Sequence, residues 1–160
     1  MIEWISRAWM KVRISMHKSL NRTLYKQGVI VYGIPKLVHR DKITIGKNST
    51  INENVYLYGR GGIVIEDGVS LSYNVSLISS GYRTSDWMEN KKHKHHESDP
   101  IKIERDCWIG ANTTVLKGIT IAEGSIVGAG SVVTKNLTEP NALYAGNPAR
   151  YIKSLKPPKL

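Results

Sequence analysis

The stretch CWIGANTTVLKGITI (residues 107–121), continued by VGAGSVVTK (127–135), decides the fold. Ile109, Val115, Ile121, Val127 and Val133 stand six apart, and Ile103 precedes them at the same interval. The period also runs upstream, through Ile45, Ile51 and Leu57 and again through Ile65, Leu71 and Leu77. Four positions after each stands a smaller or more modest residue: Ser49, Val55, Gly61, Val69, Val75, Gly81, Cys107, Thr113, Ile119, Ser125, Ser131 and Leu137. That position lies two before the next large aliphatic, and residues two apart in an extended chain face the same side. Each unit of six therefore reads as a short strand and a turn, with a small and a large side chain both pointing inward. Gly, Asn and Asp crowd the turns, as in GKN, NEN, EDG, GAN, AEG and GAG. Three such strands close a triangular coil, and stacked coils bury a continuous apolar column. A heptad cannot produce a strict period of six, and an amphipathic helix drifts off it within two turns.

The repeat breaks twice. GRGG at 59–62 inserts two residues between the units at 57 and 65. A larger break spans 79–100: positions 77 and 103 are 26 apart, so about twenty residues are extra beyond one normal step. A solenoid ejects such an insertion as a loop on one face, often the binding face.

The remaining composition bounds the function. The chain has 160 residues and a formal charge of +10, with 41% apolar and 22% charged residues, which is globular rather than a disordered polybasic tail. The charge sits at the ends: residues 1–26 carry +5, 27–100 carry +1 and 101–160 carry +4. Cys107 is the one cysteine, which excludes an intramolecular disulfide and a multi-cysteine metal site and fits a reducing compartment. No run approaches a membrane span, and Arg7, Lys11 and Arg13 interrupt any secretory core, so a cytoplasmic location is expected. The near-neutral repeat and the lack of a nucleic-acid module argue against nucleic-acid binding.

Residues 1–26 read as a basic amphipathic helix outside the repeat. Ile5, Trp9, Val12, Met16 and Leu20 recur at spacings of three and four and define one face. Docking of that helix on its own domain or on a neighbouring subunit is expected. Peripheral contact with an anionic membrane, anchored by Trp4 and Trp9, is the alternative. The repeat domain is expected over 29–155, with a tail at 156–160.

The repeat, the two stretches quoted above and AGNPARYI at 145–152 together resemble the hexapeptide-repeat acyltransferases, in the order seen in maltose, galactoside and polysaccharide O-acetyltransferases. The resemblance covers about residues 29–155. It implies an all-β fold, a left-handed parallel β-helix carrying an N-terminal α-helix and an extruded loop. It also implies a homotrimer with active sites between subunits, and acetyl-CoA as co-substrate, its acetyl group passing to a carbohydrate hydroxyl. Surface polysaccharide or lipopolysaccharide assembly is the expected setting. Transfer in this family is direct, so a general base is needed and an acyl-enzyme is not.

In many relatives a His follows the Ser-Gly or Thr-Gly that opens the long loop. Here the stretch is LISSGYRTSDW (77–87), and Arg83 stands where His would be common. The absent His favours the competing reading, a non-catalytic β-helix scaffold or binding module. The loop instead supplies His96, His93 and His95, in that order of preference for the base, beside Lys91, Lys92 and Lys94. No metal is expected, since His-x-His-His lacks a carboxylate or sulfur partner at a known spacing. Asn54, Arg83 and Asp86 are candidates for acceptor binding, with orientation of the base as the alternative role for Asp86. On the resemblance, Trp108, Ala111 and Ala129 would line the pantetheine path, with Lys117, Thr134, Lys135, Arg150 and Lys153 toward the CoA phosphates.

Overall fold

The aliphatic residues spaced at six stack into three columns, one for each side of a triangular coil. The structure is a computed structural model that describes residues 2–90 and 92–155, without the side chains of 2–5 and 7. One sheet contains Ile43–Ile45, Ile63–Ile65, Ile101–Ile103 and Thr120–Ile121 in parallel. A second runs Ile30–Val31, Thr50–Ile51, Ser70–Leu71, Trp108–Ile109, Ile126–Val127 and Ala142–Gly146, with Ala149–Ser154 antiparallel at its edge. The third contains Lys36–Val38, Tyr56–Tyr58, Ser76–Ile78, Thr114–Val115 and Val132–Val133. The chain is a parallel β-helix.

Register explains the burial. Ile45 lies over Ile65, Ile103 and Ile121 in the first sheet, and Ile51 over Leu71, Ile109 and Val127 in the second. Leu57, Leu77, Val115 and Val133 form the third column. All of these are buried, most of them completely. Where a hydroxyl takes the small inward position it bonds to a backbone carbonyl: Ser49 Oγ to Glu66 O at 3.1 Å, Ser131 Oγ to Gly128 O at 2.6 Å. The polar group is thus satisfied without leaving the core.

One corner shows how turns stack. Gly28, Asn48, Gly68, Asp106, Gly124 and Asn141 all have positive φ there, Gly alternating with Asn or Asp. A Cβ on Gly68 would meet Asp106 Oδ1 at 2.2 Å, so that glycine admits the side chain of the next coil.

Three details differ from the sequence expectation. The core starts at Leu24 and Tyr25, with Tyr25 bridged to Ile45, upstream of residue 29. Gly61 and Gly81 are half-buried rather than inward, because both fall at a corner where the chain leaves the coil. A third insertion accompanies the two expected: Leu37 to Ile45 takes eight residues and contains a 3-10 turn at Arg40–Lys42.

The helix, α1 (Ile2–Leu20), corrects the expected docking face. Ile14 packs against the core, His17 Nε2 lies 2.7 Å from Tyr25 Oη, and Lys18 Nζ donates to Val29 O at 2.8 Å. Trp9, Val12, Met16 and Leu20 point away and are exposed. The side chains of Trp4 and Ile5 lie outside the described residues. Periodicity finds the apolar stripe, but the body uses the other side of the helix.

Burial holds the His17 imidazole below its ordinary pKa of 6.5. The neutral ring is therefore the docked form. Docking is intact above about pH 6.5 and weakens as the pH falls below it, as the unfolded or undocked ring takes up a proton more readily. Amide protection factors across residues 8–20, corrected for the intrinsic pH dependence of exchange, should fall below that pH in the native chain and stay constant in His17→Gln.

Candidate active site

The twenty extra residues leave the coil as a hairpin arm. Ser80–Tyr82 pairs antiparallel with His96–Ser98, so Tyr82 faces His96 and Gly81 faces Glu97. The Tyr82 and His96 rings lie 4.5 Å apart, the Trp87 ring stands edge-on to Tyr82 at 5.8 Å, and Lys94 Nζ sits 3.1 Å over Trp87. Tyr82, not Arg83, is the residue that directly follows Ser80 and Gly81.

His95 Nδ1 lies 3.0 Å from Asp86 Oδ2. A carboxylate only accepts, so Nδ1 is the donor here, and in the neutral form of a ring held this way the lone pair is on Nε2. Asn90 Nδ2 donates to the same oxygen at 3.1 Å, and Arg83 Nη1 stands 3.7 Å away. The hydrogen bond from His95, backed by the Arg83 charge, holds the Asp86 carboxyl below the usual range. Among the three histidines, His95 has a carboxylate orienting it, His96 has the aromatic stack, and His93 is exposed nearby. Lys91 lies outside the described residues.

The arm is tied down at its base. Lys117 Nζ reaches Glu97 Oε2 at 2.8 Å and Asp99 Oδ2 at 3.3 Å. The hydrogen bond to Glu97 leads in raising the pKa of Lys117. Lys117 is thus paired with the arm's own carboxylates, and nothing in its geometry turns it toward a phosphate. Side chains alternate along a strand, so drawing Glu97 toward the coil sends His96 to the opposite face.

The remaining candidates separate into two groups. Trp108 is exposed on the outer face of the second sheet, its indole N–H donating to Ser72 Oγ at 2.9 Å. Along that face Trp108 neighbours Ile126, Ile126 neighbours Leu143, and Leu143 neighbours Lys153. Three strand spacings make that stripe about 14 Å long, apolar in the middle and cationic at one end. Ala111 and Ala129 stack in the turns beside it, Gly130 N donating to Ala111 O at 2.8 Å. Arg150 lies exposed on the same edge strand as Lys153. Thr134 and Lys135 follow the third sheet and occupy a different corner, the one from which the arm projects. Asn54 is in a left-handed turn between the second and third sheets, its Nδ2 donating to Tyr73 Oη at 3.0 Å. One chain therefore does not bring the histidine arm and the Trp108 stripe together. Tyr82 and Ser72 are the neighbours that sequence reading missed. Tyr82 could have been found as the residue after Ser80-Gly81, whereas Ser72 reaches Trp108 only through the coil stack.

Comparisons agree with this architecture. The hexapeptide repeat of succinyl-transferase matches residues 100–135. The galactoside O-acetyltransferase of Escherichia coli K12 is 35% identical over 113 residues, 71% of this chain and 54% of that protein. The chain spans about half the length of the curated relatives it matches. A solved galactoside acetyltransferase in complex with coenzyme A superposes with a TM-score of 0.74 at 30% identity, covering 90% of this chain and 70% of that one. A hexapeptide-repeat-containing acetyltransferase from Vibrio cholerae, complexed with acetyl coenzyme A, gives 0.72 at 28% identity, covering 89% and 78%. The chain belongs to the hexapeptide-repeat acetyltransferase family.

Removing the Lys117 ammonium should loosen the arm and leave the coils intact. In Lys117→Met, backbone amide exchange at Arg83 and Asp99 should rise roughly tenfold, while amides such as Gly110 keep their protection. Unchanged exchange at Arg83 and Asp99 would show that the ion pairs do not hold the arm.

Proposed function

We propose that the protein is an acetyl-CoA-dependent O-acetyltransferase acting on a carbohydrate hydroxyl. The observation that carries the reading is the carboxylate-oriented His95, borne on an arm that the β-helix ejects. Family membership supplies the donor class, and the Trp108-to-Lys153 stripe has the shape and polarity for an extended pantetheine ending in phosphates. Because arm and stripe occupy different edges of one chain, we read the working unit as a homotrimer, with the arm of one subunit over the stripe of the next.

The chemistry follows from the two nitrogens of His95. Nε2 accepts the proton of the acceptor hydroxyl while Nδ1–H stays bonded to Asp86, which stabilises the imidazolium that forms. The freed oxygen attacks the thioester carbonyl carbon, and a backbone N–H of the groove stabilises the oxyanion. Collapse breaks the C–S bond, and the imidazolium returns its proton to the CoA sulfur. The products are an acetyl ester and free CoA, with the histidine restored. The setting is cytoplasmic, at the inner face of a membrane where the acceptor is membrane-linked, as in surface polysaccharide assembly.

Turnover of acetyl-CoA with a panel of sugar acceptors, read as thiol release, tests this. His95→Ala should lower kcat by about 10²–10⁴-fold, and Asp86→Asn should lower it less, without raising KM for acetyl-CoA. Trp108→Ala should instead raise that KM and spare kcat. If His96→Ala or His93→Ala alone abolishes turnover, the base is reassigned. If no histidine variant does, the arm is not catalytic.

A further inference from the structure

We infer that the outward face of α1 is a docking surface for an anionic phospholipid membrane. This deepens the localisation part of the proposed function, and it is read by vesicle binding, which does not depend on turnover.

The helix has two usable sides, and the β-helix consumes one. Ile14, His17 and Lys18 face the body. Trp9, Val12, Met16 and Leu20 form the other side at helical spacing, and they are 65%, 51%, 60% and 75% exposed. An apolar stripe with a tryptophan, held outward by a rigid support, is the geometry of a helix lying in a membrane interface. A short helix needs a second attraction to stay there, and the sequence provides one. Between Glu3 and Asp41 there is no acidic residue, while Arg7, Lys11, Arg13, Lys18, Arg22, Lys26, Lys36 and Arg40 are basic. Lys11, Arg13, Arg22 and Lys26 are exposed.

The charge pattern chooses the occupant. A second copy docked face to face through the same helix would bring the same acid-free stretch against it, and like charges repel; a copy docked through another surface is the outcome that the light-scattering arm below detects. A nucleic acid would satisfy the cations but leave Trp9, Val12, Met16 and Leu20 in water. Anionic headgroups over acyl chains satisfy both parts.

The full chain is mixed with phosphatidylcholine vesicles, with or without about 30% phosphatidylglycerol, and the bound fraction is measured by co-sedimentation. Binding to the anionic vesicles should be at least roughly tenfold stronger than to the neutral ones, and should fall sharply in about 1 M salt. Trp9→Ser with Met16→Ser should abolish it without changing the molar mass by light scattering. Lys11→Glu with Arg13→Glu should weaken it while leaving the apolar stripe intact. Equal binding to both vesicle types, or none, overturns the proposal. So does dissociation of the Trp9/Met16 variant into smaller species, which would assign the face to a neighbouring copy.

Discussion

Each coil of this molecule depends on one aliphatic side chain stacking on its counterpart in the next. A parallel ladder with in-register columns tolerates no slip, because a one-residue shift turns the inward set outward. Extra residues can therefore enter only where strands are absent, at the corners. All three insertions in this chain fall at the corner that follows the third sheet, at 39–42, 59–62 and 79–100. They also rest on one another. A Cβ on Gly59 would meet Ile43 Cγ1 at 2.6 Å, and one on Gly61 would meet Ser79 O at 2.5 Å and Asp99 N at 2.8 Å. The two small bulges form the seat on which the base of the long arm sits.

That constraint explains why so much of the fold was legible. The coils containing Ile65 and Ile103 are paired residue for residue although 38 positions separate them, which is one coil of 18 plus the twenty counted from the sequence. The period carries its own register. The helix is a different case. Its apolar stripe is as regular as the repeat, yet a period specifies only that side chains share a face, and not what meets that face. The body takes the side with Ile14 because His17 and Lys18 find Tyr25 Oη and Val29 O there. Those partners lie eight and eleven residues away in a turn with no pattern of its own.

The site was legible in part for the same reason. Trp108 had to be exposed once Cys107 and Ile109 were inward, and it is. The arm has no repeat, so its pairings depend on hairpin register and local hydrogen bonds. Tyr82 opposite His96 follows from a register fixed by Ser80 Oγ, Ser98 Oγ and the Lys117 ion pairs, the last made by a residue in the following coil. His95 gains Asp86, which stands nine positions before it in the sequence. No spacing rule distinguishes His95 from His93 or His96, and only the folded arm gives one of them a carboxylate.

The same architecture constrains the chemistry from the inside. Most repeats turn a second residue inward beside the large aliphatic, and in this chain several of those are groups that could act as nucleophiles. Ser49, Thr113, Ser125 and Ser131 are completely buried, and each bonds to a carbonyl of a neighbouring turn. Cys107 is buried as well, its thiol facing Ala122 O at 3.2 Å and pushed up to about 11 by desolvation. A thiol with that pKa is almost wholly protonated at neutral pH and is a poor nucleophile. A fold that commits these hydroxyls and its thiol to the column favours a reaction that forms no acyl-enzyme. The direct transfer proposed above asks nothing of these buried groups, since the acceptor hydroxyl itself is the nucleophile.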